Sequence, residues 1–171
     1  PVPERDYDLD ESSLALYLMA DFDGDMGNTP YRANIGLRYI DTDLTVDSFI
    51  RTSATNLLPV TDKNSYSNWL PSANIVFYAT DDFLIRFAAS ETMQQAGIAE
   101  LAPSIFVNLT NLTATGGNAY LEPTTASQAD ISFEYYFKGE GLATFAAFYK
   151  DVSNFIAPET VLQEMPGFEY L

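Results

Sequence analysis

The sequence predicts an all-β protein, part of an antiparallel up-and-down transmembrane β-barrel, on three observations. Apolar and polar residues alternate with period two over about six stretches of roughly ten residues, the length a strand needs to cross a bilayer. Short turns and long polar connections take turns between those stretches. Aromatic residues lie toward the ends of the apolar faces, as they do at the two interfaces of a membrane barrel.

Ser13 to Phe22 opens the series, with Leu14, Leu16, Leu18, Ala20 and Phe22 on one side and Ser13, Ala15, Tyr17, Met19 and Asp21 on the other. A turn-rich Asp23 to Pro30 separates it from a second alternation, in which Ala33, Ile35, Leu37 and Tyr39 oppose Arg32, Asn34, Gly36 and Arg38. The two predict a hairpin. From about Asp47 to Ser65 the chain is rich in Ser, Thr, Asn and Pro without a clear period, which predicts a long loop. Pro71, Ala73, Ile75 and Phe77 against Ser72, Asn74, Val76 and Tyr78 make a third strand, with the donor-less Pro71 near its beginning or at a bulge. Thr80-Asp81-Asp82 turns into a fourth, where Phe83, Ile85, Phe87 and Ala89 oppose Leu84, Arg86, Ala88 and Ser90. Met93 to Pro123 reads as a second long loop, with room for a helical turn between Met93 and Leu101. The fifth strand sets Ala129, Ile131, Phe133, Tyr135 and Phe137 against Gln128, Asp130, Ser132 and Glu134. After a tight turn at Lys138 to Gly141, the sixth runs to about Phe155, and Ile156 to Leu171 reads as a loop.

Composition narrows the function classes. With 24 acidic against 8 basic residues the formal charge is −16, which disfavours a nucleic-acid partner. The absence of Cys and His excludes disulfides, thiolate zinc sites and histidine acid–base chemistry within the chain. No apolar run approaches the roughly 20 residues of a membrane-spanning helix, and the acidic Pro1 to Asp10 is no signal sequence. A soluble β-sandwich that binds carbohydrate through exposed aromatics is the alternative, but its strands are usually shorter and its connections need not be long at one end only.

Several short motifs follow one another in order: Gly36-Leu-Arg-Tyr-Ile-Asp-Thr-Asp43, Tyr66-Ser-Asn-Trp-Leu-Pro-Ser72, Thr80-Asp-Asp82, Arg86-Phe-Ala-Ala-Ser90 and Leu101-Ala-Pro103. Ala114-Thr-Gly-Gly-Asn118, Leu121-Glu-Pro123 and Phe148-Tyr-Lys-Asp-Val-Ser-Asn-Phe155 continue the succession. From Gly36 to Phe155 the chain therefore resembles the barrel of TonB-dependent receptors, departing from that pattern at Thr92 to Gly97. The resemblance implies that residues 1–171 are about six strands of an approximately 22-stranded barrel, with the plug domain not in this chain. It further implies outer-membrane uptake of a scarce nutrient such as a siderophore, oligosaccharide or cobalamin. The partners would be outer-membrane lipid, the protein's own plug and, through it, the TonB energy-coupling protein. A structural barrel without active transport is a further alternative.

Candidate site residues fall into two groups. Arg38, Arg86, Asp130 and Glu134 lie on the polar faces and would look into the lumen or toward the plug, pairing there or lining a path. Tyr66, Trp69, Phe106 and Tyr120 fall in or beside the long loops and are candidates for stacking on a sugar or a catecholate, although girdle or loop packing is the simpler reading of each. Asp21-Phe-Asp-Gly-Asp-Met-Gly27 fails the calcium-loop pattern, because Met26 and Arg32 stand where Gly and Glu are required. Asp41, Asp43 and Asp47 read as solvated strand-end carboxylates. No metal, no cofactor and no catalytic residue is expected.

Overall fold

Residue-for-residue pairing of the longer strands builds the main antiparallel sheet. The computed structural model describes residues 6–51, 57–103, 106–108 and 113–162. Its elements are β1 (Asp8–Met26), β2 (Thr29–Arg51), β3 (Leu57–Thr80), β4 (Phe83–Gln94), α1 (Ile98–Leu101), β5 (Phe106–Asn108), β6 (Thr113–Thr115), β7 (Thr124–Phe137) and β8 (Gly141–Ser153). Among the described residues β1, β2, β3, β4, β7 and β8 form a six-stranded sheet in that order, while β5 pairs with β6. Every neighbour is antiparallel, so the topology is up-and-down, as the alternation predicts.

All three tight turns sit at one end of the sheet. Gly27 and Asn28 join β1 to β2, with Gly27 at φ 67°. That left-handed value at the first central position is the one a two-residue hairpin of type II′ requires, which is why glycine stands there. Asp81 and Asp82 join β3 to β4, the Asp82 amide donating to Thr80 Oγ1 at 3.3 Å. Lys138 to Glu140 join β7 to β8, with Gly139 at φ 130°.

The register divides the sheet into two unlike faces. Leu14, Leu16, Leu18 and Phe22 of β1 share a face with Ile35 and Leu37 of β2, Ile75 and Phe77 of β3, Phe87 of β4, Phe133 of β7 and Phe145 of β8. Among the described residues nothing is packed on this face, and Leu18 is 77% exposed. An apolar surface that large is not left to water by a soluble domain. A soluble β-sandwich would cover this face with a second sheet, and among the described residues none does. At the borders of the apolar band Tyr39 packs on Trp69 with ring centroids 4.6 Å apart, and Phe83 lies 6.5 Å from Tyr135.

The strands run well beyond that band. β2 has 23 residues and β3 has 24, against about 10 needed to cross a bilayer. The long loop expected from Asp47 to Ser65 is therefore a correction: both strands continue through it, pairing from Asp47↔Thr61 to Arg51↔Leu57, and residues 52–56 lie outside the described set. The physical reason is a change of phase. Up to Tyr39 the outward side chains are apolar, but beyond it Asp41, Asp43 and Asp47 point outward while Leu44 and Val46 turn to the opposite face and are buried. Strand period persists with its polarity inverted, which looks like loss of period.

The expected loop from Met93 to Pro123 is also shorter and more ordered. β4 keeps pairing with β7 as far as Gln94↔Thr124, and the anticipated helical turn is α1. β5 and β6 form a small hairpin between α1 and β7. Residues 155–162 carry no regular structure, as expected, and residues 163–171 lie outside the described set.

Candidate functional site

The polar face of the sheet and the segment that covers part of it make up the candidate site. Arg38, Arg86, Asp130 and Glu134 all project from this face. Arg86 lies opposite Ser132, and Glu134 is one step along the same side of β7. The small serine lets the guanidinium lean diagonally, so Arg86 Nε donates to Glu134 Oε1 at 2.8 Å and Nη2 donates to Oε2 at 3.3 Å. Tyr136 adds a hydroxyl bond to Glu134 Oε2 at 3.0 Å. Arg38 stands on β2 opposite Leu70, and Asp130 on β7 opposite Ala88, so the fold unites two of the four residues and keeps the other two apart.

The Arg86 side chain is 46% exposed, so the pair is screened and contributes little to stability. Glu134→Gln is expected to change the unfolding free energy of the full-length protein by no more than about 1 kcal/mol. Urea titration in lipid vesicles checks this.

Residues 95–102 and 117–121 lie over the polar-face side of the extended β1–β3 region. Leu101 and Ala119 are buried with Leu44 and Val46, and Leu9, Ala96 and Leu121 pack around them. Gly97 opens α1, its amide donating to Glu100 Oε2 at 2.8 Å. The Gly117 amide donates to Ala102 O at 2.8 Å and the Asn118 amide to Glu100 O at 2.7 Å, drawing the two halves of the segment together. A Cβ on Gly117 would run into the backbone carbonyls of Glu100 and Ala102, so only glycine fits there.

Polar side chains hold the segment to two strands, β1 and β3. Asn64 Nδ2 donates to Ala119 O at 3.2 Å, Tyr120 donates to Asp62 Oδ1 at 2.9 Å, and Gln95 Nε2 reaches Glu11 Oε1 at 2.9 Å. Gln95 also donates to the Tyr66 hydroxyl at 3.4 Å.

The aromatic candidates separate accordingly. Tyr66 and Tyr120 are both tied to the covered face of β3, Tyr66 on the strand bonded to Gln95 and Tyr120 on the covering segment bonded to Asp62. Trp69 is a correction in place: it stands in β3 and not in a loop, on the opposite face, 60% exposed and packed against Tyr39. Tyr66 likewise belongs to β3, and Phe106 begins β5 opposite Thr115. Sequence reasoning missed Glu11, Asp62, Asn64 and Gln95; the signal that points to them is the phase change that buries Leu44 and Val46.

Contact with Asp62 holds the Tyr120 hydroxyl above its ordinary pKa, chiefly through the hydrogen bond and then through the nearby negative charge. A raised folded value means that this contribution is complete below the unfolded pKa and is lost as pH rises through the folded one. Protection of the covering segment against protease is therefore expected to fall at alkaline pH in the parent, and to show a smaller alkaline change in Tyr120→Phe. Identical profiles for the two proteins would count against the contact.

The acidic stretch at the end of β1 is strand rather than turn, Asp21, Asp23 and Asp25 pairing with Asn34, Arg32 and Pro30. Asp41 accepts a hydrogen bond from the Tyr39 hydroxyl at 3.3 Å, and Asp47 accepts one from the Thr61 hydroxyl. Among the described residues no group of three or more potential ligands is arranged to hold a metal.

A family model described as TonB dependent receptor-like, beta-barrel, matches residues 1–168. The chain belongs to the TonB-dependent receptor-like β-barrel family. No curated protein matches it. Among solved structures, the crystal structure of the ferric enterobactin receptor (PfeA) in complex with BCV-L6 is similar over 84% of the chain, at 13% identity and a TM-score of 0.45. The chain spans 27% of that receptor's length. TonB-dependent receptors are transporters and not enzymes.

Proposed function

We propose that this TonB-dependent receptor-like chain forms wall and cell-exterior extension of an outer-membrane transporter that takes up a scarce nutrient, a siderophore, oligosaccharide or cobalamin. The family match carries this reading. The separation of faces supports it: the apolar band meets outer-membrane lipid, and the opposite face lines the lumen. The three tight turns then lie on the periplasmic side, and the long extensions with their covering segment stand outside the cell.

In this arrangement Arg38, Arg86, Asp130 and Glu134 face a plug domain, through which TonB supplies the energy. Charged side chains on a lumen wall hold such a plug by charge-assisted hydrogen bonds. Tyr66 and Tyr120, at the covering segment, are the aromatic side chains best placed to meet a nutrient before it enters. Trp69, on the lipid-facing side, serves the interface instead, where an amphipathic ring sits at the headgroup level.

Uptake by cells carrying the full-length protein tests the reading. Siderophore, oligosaccharide and cobalamin uptake would be compared with and without the energy-coupling protein. Uptake that vanishes on its deletion supports transport; uptake that persists unchanged leaves a structural barrel. Fractionation with the soluble periplasm, without heat-modifiable migration in detergent, would overturn the membrane assignment itself.

A further inference from the structure

β3 outgrows β4. Pairing between them runs from Thr80↔Phe83 only as far as Ser72↔Ser90, whereas β3 stays paired with β2 to Arg51↔Leu57. Both sheet neighbours of β3 are in this chain, so strands elsewhere in an up-and-down barrel do not cover the edge beyond Pro71. Among the described residues no backbone hydrogen bond reaches that edge from outside the sheet.

The direction of its backbone groups follows from the first turn. Met26 and Thr29 close a two-residue hairpin, so the N–H and C=O of Thr29 face β1, and alternate residues face alternate sides. Even-numbered residues of β2 therefore face β3 and bond its even-numbered residues, leaving the odd-numbered residues of β3 directed away from β2. Pro59 and Pro71 are odd-numbered and lack an N–H, as residues on an open side can. Between them Thr61, Lys63, Ser65, Ser67 and Trp69 aim their backbone donors and acceptors out of the sheet, and their side chains are exposed.

Such a row is a template for one more strand. Its surroundings select the partner. On the outer face Asp43 stands opposite Ser65 and Asp41 opposite Ser67. A strand added to β3 would lie about 10 Å from β2, and a lysine or arginine on it can stretch across a small serine to those carboxylates. Lys63 disfavours a further basic residue beside it.

We propose that this edge binds an extended peptide with basic residues at alternate positions, by strand addition to β3. The inference rests on strand pairing and charge, not on the transport reading.

Detergent-purified full-length protein, titrated with fluorescent octapeptides of alternating Lys-Val or alternating Glu-Val, tests it. The Lys-Val peptide is expected to bind at least about tenfold tighter and to slow hydrogen exchange at the odd-numbered amides of Thr61 to Trp69. Ser67→Pro removes an edge N–H without breaking the β2 ladder, and should weaken binding about tenfold. The paired variant Asp41→Asn and Asp43→Asn should erase the preference for Lys-Val while β2 exchange stays unchanged. Equal binding of the two peptides overturns the proposal, as does parental binding by either variant. Edge amides already protected before peptide is added also overturn it, because a segment of the same chain or a second copy would then hold the site.

Discussion

Leu18→Arg is expected to lower the folding stability of the full-length barrel in lipid vesicles by about 2–4 kcal/mol, while Met19→Arg, one residue along, changes it little. Leu18 lies in the middle of the apolar run of β1, opposite Leu37, and is exposed in the isolated sheet. In water an exposed leucine would tolerate the change. Against hydrocarbon, the guanidinium must snorkel or draw water inward, and either costs free energy. Met19 projects from the other face, opposite Gly36, where arginine can stay solvated. Urea titration of both variants refolded into phosphatidylcholine vesicles makes the comparison, and equal costs would sink the lipid-facing assignment.

Leu101→Ala is expected to cost the covering segment about 2–3 kcal/mol, the lower part of the range for emptying a buried leucine site. Leu101 is 5% exposed within a cluster whose other buried members are Leu44, Val46 and Ala119. So small a core has few contacts to spare, so the loss opens the segment locally while the strand ladder stays closed. Proteolysis and hydrogen exchange should show residues 95–102 and 117–121 becoming accessible, with heat-modifiable migration of the barrel retained. Gly117→Ala should reach the same end by overfilling rather than emptying, since a Cβ meets two backbone carbonyls. A segment that stays protected in both variants would mean that the polar ties from Asn64, Tyr120 and Gln95 suffice without the apolar cluster.

How much is legible in the sequence differs from element to element. The alternation of Leu14 to Phe22 and of Ala129 to Phe137 identifies strands directly, because one face is uniformly apolar and period two has no competitor there. The stretch from Asp47 to Ser65 misleads because serine, threonine, asparagine and proline are common in loops, and its alternation has changed phase. Pairing with β2 supplies the backbone hydrogen bonds that composition does not foretell. Pro59 and Pro71 escape the usual penalty because their missing donors face the open edge.

Among the candidate site residues, the parity of their positions suffices to place Arg38, Arg86, Asp130 and Glu134 on one face. It does not say that Arg86 and Glu134 pair, since that depends on which strand follows β4 in space and on the inter-strand register. Trp69 reads as a loop residue for the same reason that its strand reads short. Tyr66 and Tyr120, 54 positions apart by their numbering, come to one face of β3 only because the segment after β4 folds back over that strand.

Local periodicity by itself determined the β class, the two-faced strands and the tight turns, because each depends on neighbours one to four residues away. Ordered motifs extended that to the barrel of TonB-dependent receptors. Only the tertiary structure decided how far the strands run beyond the apolar band, which face the covering segment occupies, and where β3 is left without a neighbour. Those outcomes come from pairing and packing between distant parts of the chain, whose free energies local residue pattern does not encode.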